Sequence, residues 1–162
     1  MSLPFEPHGI EVDLIGSPAI VTLRGAEVDL TALTQFGTRY AKAWCSQDPE
    51  SVAAFYSEGS LLSVNDSAPA VGREAIAKVA LGFMTAFPDL EVTMDDVVPQ
   101  SRGTVFRWTL TGTNTGPGGT GQRVRISGYE MWQLDADGSI AESKGHFDAA
   151  EYERQLEHGV DR

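Results

Sequence analysis

Two segments of this chain carry the same apolar spacing. Leu33, Phe36, Gly37, Tyr40, Ala41 and Trp44 fall at i, i+3, i+4, i+7, i+8 and i+11, and Ile76, Val79, Ala80, Phe83, Met84 and Phe87 repeat the interval. That spacing gathers the large apolar groups on one face of a 3.6-residue helix. It predicts helices over about Thr31–Cys45 and Arg73–Phe87, the second stopped by Pro88. Each stripe needs an apolar surface to bury against.

The second half of the chain supplies that surface. Leu90–Val98, Thr104–Thr115, Arg123–Leu134 and Ser139–Phe147 are rich in β-branched and aromatic residues with period-two alternation. Asp135-Ala136-Asp137-Gly138 reads as a hairpin turn between the last two. Between the helices, Asp48-Pro49 opens a short helix with Val52, Phe55 and Tyr56 on its apolar side and Gly59 at its end. Leu61–Val64 follows as a short strand, and 65–72 as a polar loop. A last helix runs from near Ala149 to about His158.

At the front, Glu11–Ile15 and Ala19–Leu23 flank Gly16-Ser17-Pro18, the pattern of a β-hairpin. The expected organisation is an N-terminal extension over residues 1–29 and a main domain over 30–162. The fold class is α+β: a curved, mostly antiparallel sheet wrapped around amphipathic helices. Such a mismatch in shape tends to leave a pocket for a hydrophobic small molecule.

Composition removes several classes of function. With 23 acidic against 12 basic residues the net charge is −11, which repels phosphate backbones and anionic membranes. Neither nucleic acid nor a membrane is therefore an expected partner. Cys45 is the one cysteine, so no internal disulfide can form and a reducing, cytoplasmic setting is the expectation. Three scattered histidines give no metal-ligand spacing, and no metal or cofactor is expected.

Several pieces together carry a resemblance: the helix with Tyr40 and Trp44 before Asp48, GREAI at 72–76, AFPDLEV at 86–92, RWTLTGTNTGP at 107–117, TGQRVRISG at 120–128, DGSIAES at 137–143, and Phe147-Asp148 before a helix ending QLEHG. In this order they resemble the SnoaL-like polyketide cyclase family of the nuclear-transport-factor-like superfamily, over about Leu30–Gly159. The resemblance implies a cone-shaped α+β barrel, with an acidic group at the place of Asp148 acting as general acid and base. Asn114 stands where family members often carry a histidine, and Ser143 and Lys144 stand where many carry a histidine–tryptophan pair.

Asp148 and His146 are accordingly the candidate catalytic pair. A carboxylate at the closed end of an apolar cone loses hydration, and its pKa rises. Two residues apart on a regular strand, the two side chains share a face. The competing reading of Asp148 is structural, since Asp148-Ala149-Ala150-Glu151 matches a helix-capping arrangement. Tyr40, Trp44, Phe83, Phe87, Trp108 and Trp132 are candidates for an aromatic substrate wall, and Asn65 for a polar contact. Glu130 and Trp132 share a face with Ile126 and Leu134. If that face is inward, Glu130 is a buried acid: a second catalytic carboxylate, or the partner of Arg107 or Arg125.

The expected function is cofactor-free proton transfer next to a carbonyl of a hydrophobic, possibly cyclic substrate, in the manner of a cyclase or isomerase. The alternative is a non-catalytic binding or assembly module of the same fold. Epoxide hydrolysis, which wants two acids and a basic residue about one water, is a third. Apolar residues on both faces of Arg123–Leu134 point to a homodimer.

Overall fold

The computed structural model of the chain describes residues 10–12, 20–23 and 26–161. Three short strands come first: β1 (Ile10–Val12), β2 (Ile20–Leu23) and β3 (Ala26–Asp29). β1 pairs antiparallel with β2 as the hairpin pattern predicts, while the Gly16-Ser17-Pro18 turn lies outside the described residues. β3 adds a third strand that the sequence reading did not include. Its last residue, Asp29, is also the N-cap of α1 (Leu30–Cys45), accepting a hydrogen bond from Ala32 N at 3.1 Å.

After α1 come α2 (Pro49–Ala53), β4 (Tyr56–Val64), β5 (Ala70–Val71) and α3 (Arg73–Ala86). Four long strands then follow: β6 (Glu91–Gln100), β7 (Gly103–Thr113), β8 (Arg123–Leu134) and β9 (Ile140–Phe147), before α4 (Ala149–His158). β4 to β9 form one sheet in the order β5-β4-β9-β8-β7-β6, antiparallel except where β4 runs parallel to β9. The fold is α+β.

The segment between α2 and β4 departs from expectation. Phe55 and Tyr56 do not continue the short helix, and Gly59 does not end it. α2 stops at Ala53, and the strand starts at Tyr56, where Ile140 N donates to Phe55 O at 2.9 Å. Pairing with β9 and burial of the Tyr56 ring override the weak helical pattern of so short a segment. Gly59, at φ +70°, instead lies inside the strand where the register with β9 shifts between Tyr56 and Leu61.

The two stripes bury as their spacing demands. Tyr40 from α1 is fully buried, with edge-to-face contacts to Phe106 on β7 at 5.3 Å and Trp132 on β8 at 5.2 Å. Phe106 and Trp132 stack at 4.8 Å across the strand pair. Each such aromatic pair adds about 0.5–1.5 kcal/mol beyond area burial. Trp44 meets Phe83 of α3 at 6.0 Å, joining the two helices. On β8, Val124, Ile126, Glu130 and Trp132 face this core, while Arg125 and Tyr129 face out.

Candidate active site

At the meeting point of the helices and the sheet lies a cavity. Trp44, Val79, Phe83 and Tyr152 enclose it from α1, α3 and α4. The sheet side is Leu62, Val64, Val92, Trp108, Leu110, Ile126, Glu130, Gly145 and Phe147. The atom-free space, counted out into the mouth, is about 660 Å³, but only about 60 Å³ can take the centre of a water molecule. The smaller figure describes what the site can enclose, because the larger one includes open solvent. The walls are almost wholly apolar, and Glu130 is the one charged side chain among the described lining residues.

Glu130 sits in the middle of β8, paired with Phe106 on β7 and Gly145 on β9. Strand alternation turns its side chain to the concave face, where it is 8% exposed. Its partners are neutral. Tyr40 Oη donates to Glu130 Oε1 at 2.9 Å, Trp132 Nε1 at 2.8 Å and Ser143 Oγ at 2.8 Å. All three donors engage the same oxygen, so Oε2 has no hydrogen-bond donor among the described residues and is the oxygen left for the cavity. Gly145 lines the same space, and a Cβ there would meet Glu130 Cγ at an ordinary van der Waals distance, 3.7 Å.

A second layer holds the first. The Tyr40 and Tyr56 hydroxyls are 2.7 Å apart. Tyr40 has one proton and gives it to Glu130, so Tyr56 donates to Tyr40. Burial, and then the charge of Glu130, push both phenols well above their ordinary values, which keeps them protonated as donors. Burial pushes the Glu130 carboxyl up from the ordinary glutamate range, while its three donors pull it back in part. The result is a carboxyl with one oxygen clamped by three donors and the other without one, in a largely apolar surrounding.

The other candidates are spread more widely. Asp148 is exposed, does not line the cavity, and accepts from Glu151 N at 3.0 Å as the N-cap of α4. The expected desolvation at the closed end of the cone therefore does not occur there: the chain has turned out of the sheet by this residue, and the cap outcompetes the pocket. His146 pairs with Tyr129 on the outer face, ring centroids 5.1 Å apart, and is likewise off the cavity. Asn65 takes a left-handed conformation at φ +51°, and its Oδ1 accepts from Phe147 N at 2.9 Å, a turn role that locks β4 to β9. Of the six aromatic candidates, Trp44, Phe83 and Trp108 line the cavity; Tyr40, Phe87 and Trp132 are buried behind it.

Glu130 does not pair with an arginine. Arg107 reaches Asp96 at 3.4 Å, and the Arg125 backbone N donates to Gln155 at 2.6 Å. Tyr56, Ser143, Phe147 and Tyr152 were not among the sequence candidates. Alternation along β9 could have signalled Ser143, two residues before Gly145 on the same face. Among the described residues no group of three or more His, Cys, Asp or Glu is placed to hold a metal ion, and no helix is long and apolar enough to cross a membrane.

The sequence matches the family model described as SnoaL-like polyketide cyclase over residues 34–156. No curated protein sequence matches the chain. Solved structures share the fold. A putative SnoaL-like polyketide cyclase from Jannaschia sp. CCS1 superposes with a TM-score of 0.62 at 17% identity, over 78% of this chain and 95% of that one. AclR, a putative hydroxylase from Streptomyces galilaeus, gives 0.65 at 23% identity, over 79% of this chain and 82% of that one. A protein of ketosteroid isomerase-like fold from Catenulispora acidiphila DSM 44928, in complex with trimethylamine, gives 0.63 at 13% identity, over 71% and 86%.

Proposed function

We propose that this chain, which belongs to the SnoaL-like polyketide cyclase family, is a small-molecule enzyme that moves a proton on and off a carbon next to a carbonyl, with Glu130 as the proton carrier. The observation that carries the reading is the asymmetry of that carboxyl. Oε1 is fixed by three donors, which sets the direction of Oε2 to the substrate. Burial raises its proton affinity above an exposed glutamate's, the direction a proton carrier needs.

The hydroxyl chain from Tyr56 through Tyr40 shares out charge as Glu130 ionises, and so steadies both states. Water exclusion by Trp44, Phe83, Trp108 and Phe147 keeps an enolate-like intermediate from being quenched by solvent. Asp148 is left with capping. Epoxide hydrolysis gains no support, since neither a second acid nor a basic side chain lines the cavity among the described residues. A binding or assembly module is the competing reading, favoured by the small enclosed volume of about 60 Å³.

The test is hydrogen–deuterium exchange at the carbon next to the carbonyl in a panel of small cyclic ketones, followed by NMR in D2O. The wild type should accelerate exchange for at least one of them. Glu130→Gln should lose about 10²-fold or more of that rate, and Asp148→Asn should keep it. Ketones that bind, quenching tryptophan fluorescence, yet exchange no faster than in buffer would leave the binding-module reading in its place.

A further inference from the structure

We propose that the cavity is a binding site for small tertiary and quaternary alkylammonium ions, with Glu130 Oε2 as counter-charge and the aromatic walls as the remainder of the shell. The inference concerns binding alone and does not need the proton-transfer reading to hold.

Charge comes first. A buried carboxylate is normally matched by a cation, because desolvating it alone is costly. Here all three partners of Glu130 are neutral donors on one oxygen, and no Lys, Arg or His is among the described lining residues. The ionised side chain therefore presents an uncompensated negative charge to the cavity. The net charge of −11 draws cations toward the protein and repels anions.

The walls come second. Trp44, Phe83, Trp108, Phe147 and Tyr152 all line the same space. Neighbouring rings stand steeply to one another, 75° for Trp44–Phe83, 66° for Trp108–Phe147 and 74° for Phe147–Tyr152. An occupant would have aromatic rings on several sides, from α1, α3, α4, β7 and β9, and each ring that turns its face inward adds to the attraction. A π face attracts a cation by about 0.5–2 kcal/mol, the more so when dry.

Hydrogen-bond counting then selects within the cations. A primary ammonium brings three N–H donors and needs three acceptors. The apolar lining offers Oε2 and little besides, so such an ion would leave donors unpaired at a cost of about 1–3 kcal/mol each. A tertiary ammonium brings one N–H, which Oε2 satisfies, and a quaternary ion brings none. Size agrees. Taken as a sphere, about 60 Å³ open to water centres reaches the walls at a radius of roughly 3.8 Å once the water's own ~1.4 Å is added. A tetramethylammonium ion, roughly 3 Å in radius, fits inside that boundary.

Tetramethylammonium chloride is the probe, because its charge does not change with pH, and tert-butanol is the neutral comparison of similar bulk. Binding is read by tryptophan fluorescence and calorimetry at constant ionic strength, with sodium chloride as the balancing salt. The wild type should bind tetramethylammonium saturably and at least about tenfold more tightly than tert-butanol. Glu130→Gln should weaken the cation about tenfold or more and change tert-butanol, whose hydroxyl can donate to either side-chain oxygen, less than about threefold. Phe83→Leu, which keeps the carboxylate, should weaken the cation about threefold with little effect on tert-butanol. Equal affinity for the two probes, no saturable binding of the cation, or a cation affinity untouched in both variants would overturn the proposal. Ketone exchange that depends on Glu130 can survive that result, and cation binding can survive the absence of exchange.

Discussion

Tyr40→Phe isolates the clamp on Glu130. The phenyl ring keeps the edge contacts to Phe55, Phe106 and Trp132, so packing is nearly conserved. Two hydrogen bonds go: 2.7 Å to the Tyr56 hydroxyl and 2.9 Å to Glu130 Oε1. A neutral bond is worth about 0.5–1.5 kcal/mol net and one to a charged group about 1.5–3. The loss should therefore be about 2–4 kcal/mol at a pH where Glu130 is ionised. Urea unfolding would show it as a lower midpoint with an unchanged slope. The carboxyl, deprived of one of three donors that pull it down, should also move further up. In a Glu130→Gln background the same change removes only neutral bonds, so its cost should fall to about 1–3 kcal/mol. A loss under about 0.5 kcal/mol, or an equal loss in both backgrounds, would refute the claim that Tyr40 acts on the carboxylate.

Three further outcomes are expected. Glu130 has a higher pKa folded than unfolded, so the folded chain holds its proton longer and stability falls as pH rises from about 4.3 to the folded value. Glu130→Gln abolishes that slope, about 1.4 kcal/mol per pH unit across the window, and should gain on the wild type with rising pH in thermal scans. Asp148→Ala removes the cap of α4 and should cost about 1 kcal/mol, with Asp148→Asn close to neutral and ketone exchange unaffected in both. At Gly116 an added Cβ would stand 1.9 Å from Thr85 O, so Gly116→Ala must break the loop that Asn114 ties to Ala86 and Thr120. Its cost should exceed about 2 kcal/mol in chemical denaturation.

The architecture was readable because long elements announce themselves by period. The stripes of α1 and α3 and the alternation of β6 to β9 each repeat over many residues, and the strand breaks coincide with glycine, proline or aspartate. Short elements were read less well: β3 and β5, of four and two residues, carry no period, and α2 showed its Asp48-Pro49 start but not its end, because pairing with a neighbouring strand decides these states. The site divides the same way. That Glu130 faces inward with Ile126 and Trp132 follows from alternation. That it is the clamped acid does not, because its donors come from α1, β8 and β9, the farthest 90 positions away in sequence. Asp148 shows the converse: its capping pattern is local and legible, while its exclusion from the cavity depends on how the chain leaves β9.

The reactivity proposed for the cavity depends on Glu130, with one oxygen open to the cavity on a carboxyl whose proton affinity burial raises. Carbon-13 NMR of the labelled glutamate side chains, with Glu130 assigned by its loss in Glu130→Gln, measures that directly across a pH titration. The midpoint should lie above the ordinary glutamate range, move further up in Tyr40→Phe and change when a ligand fills the cavity. A midpoint at or below the ordinary range, indifferent to both, would contradict that role of Glu130.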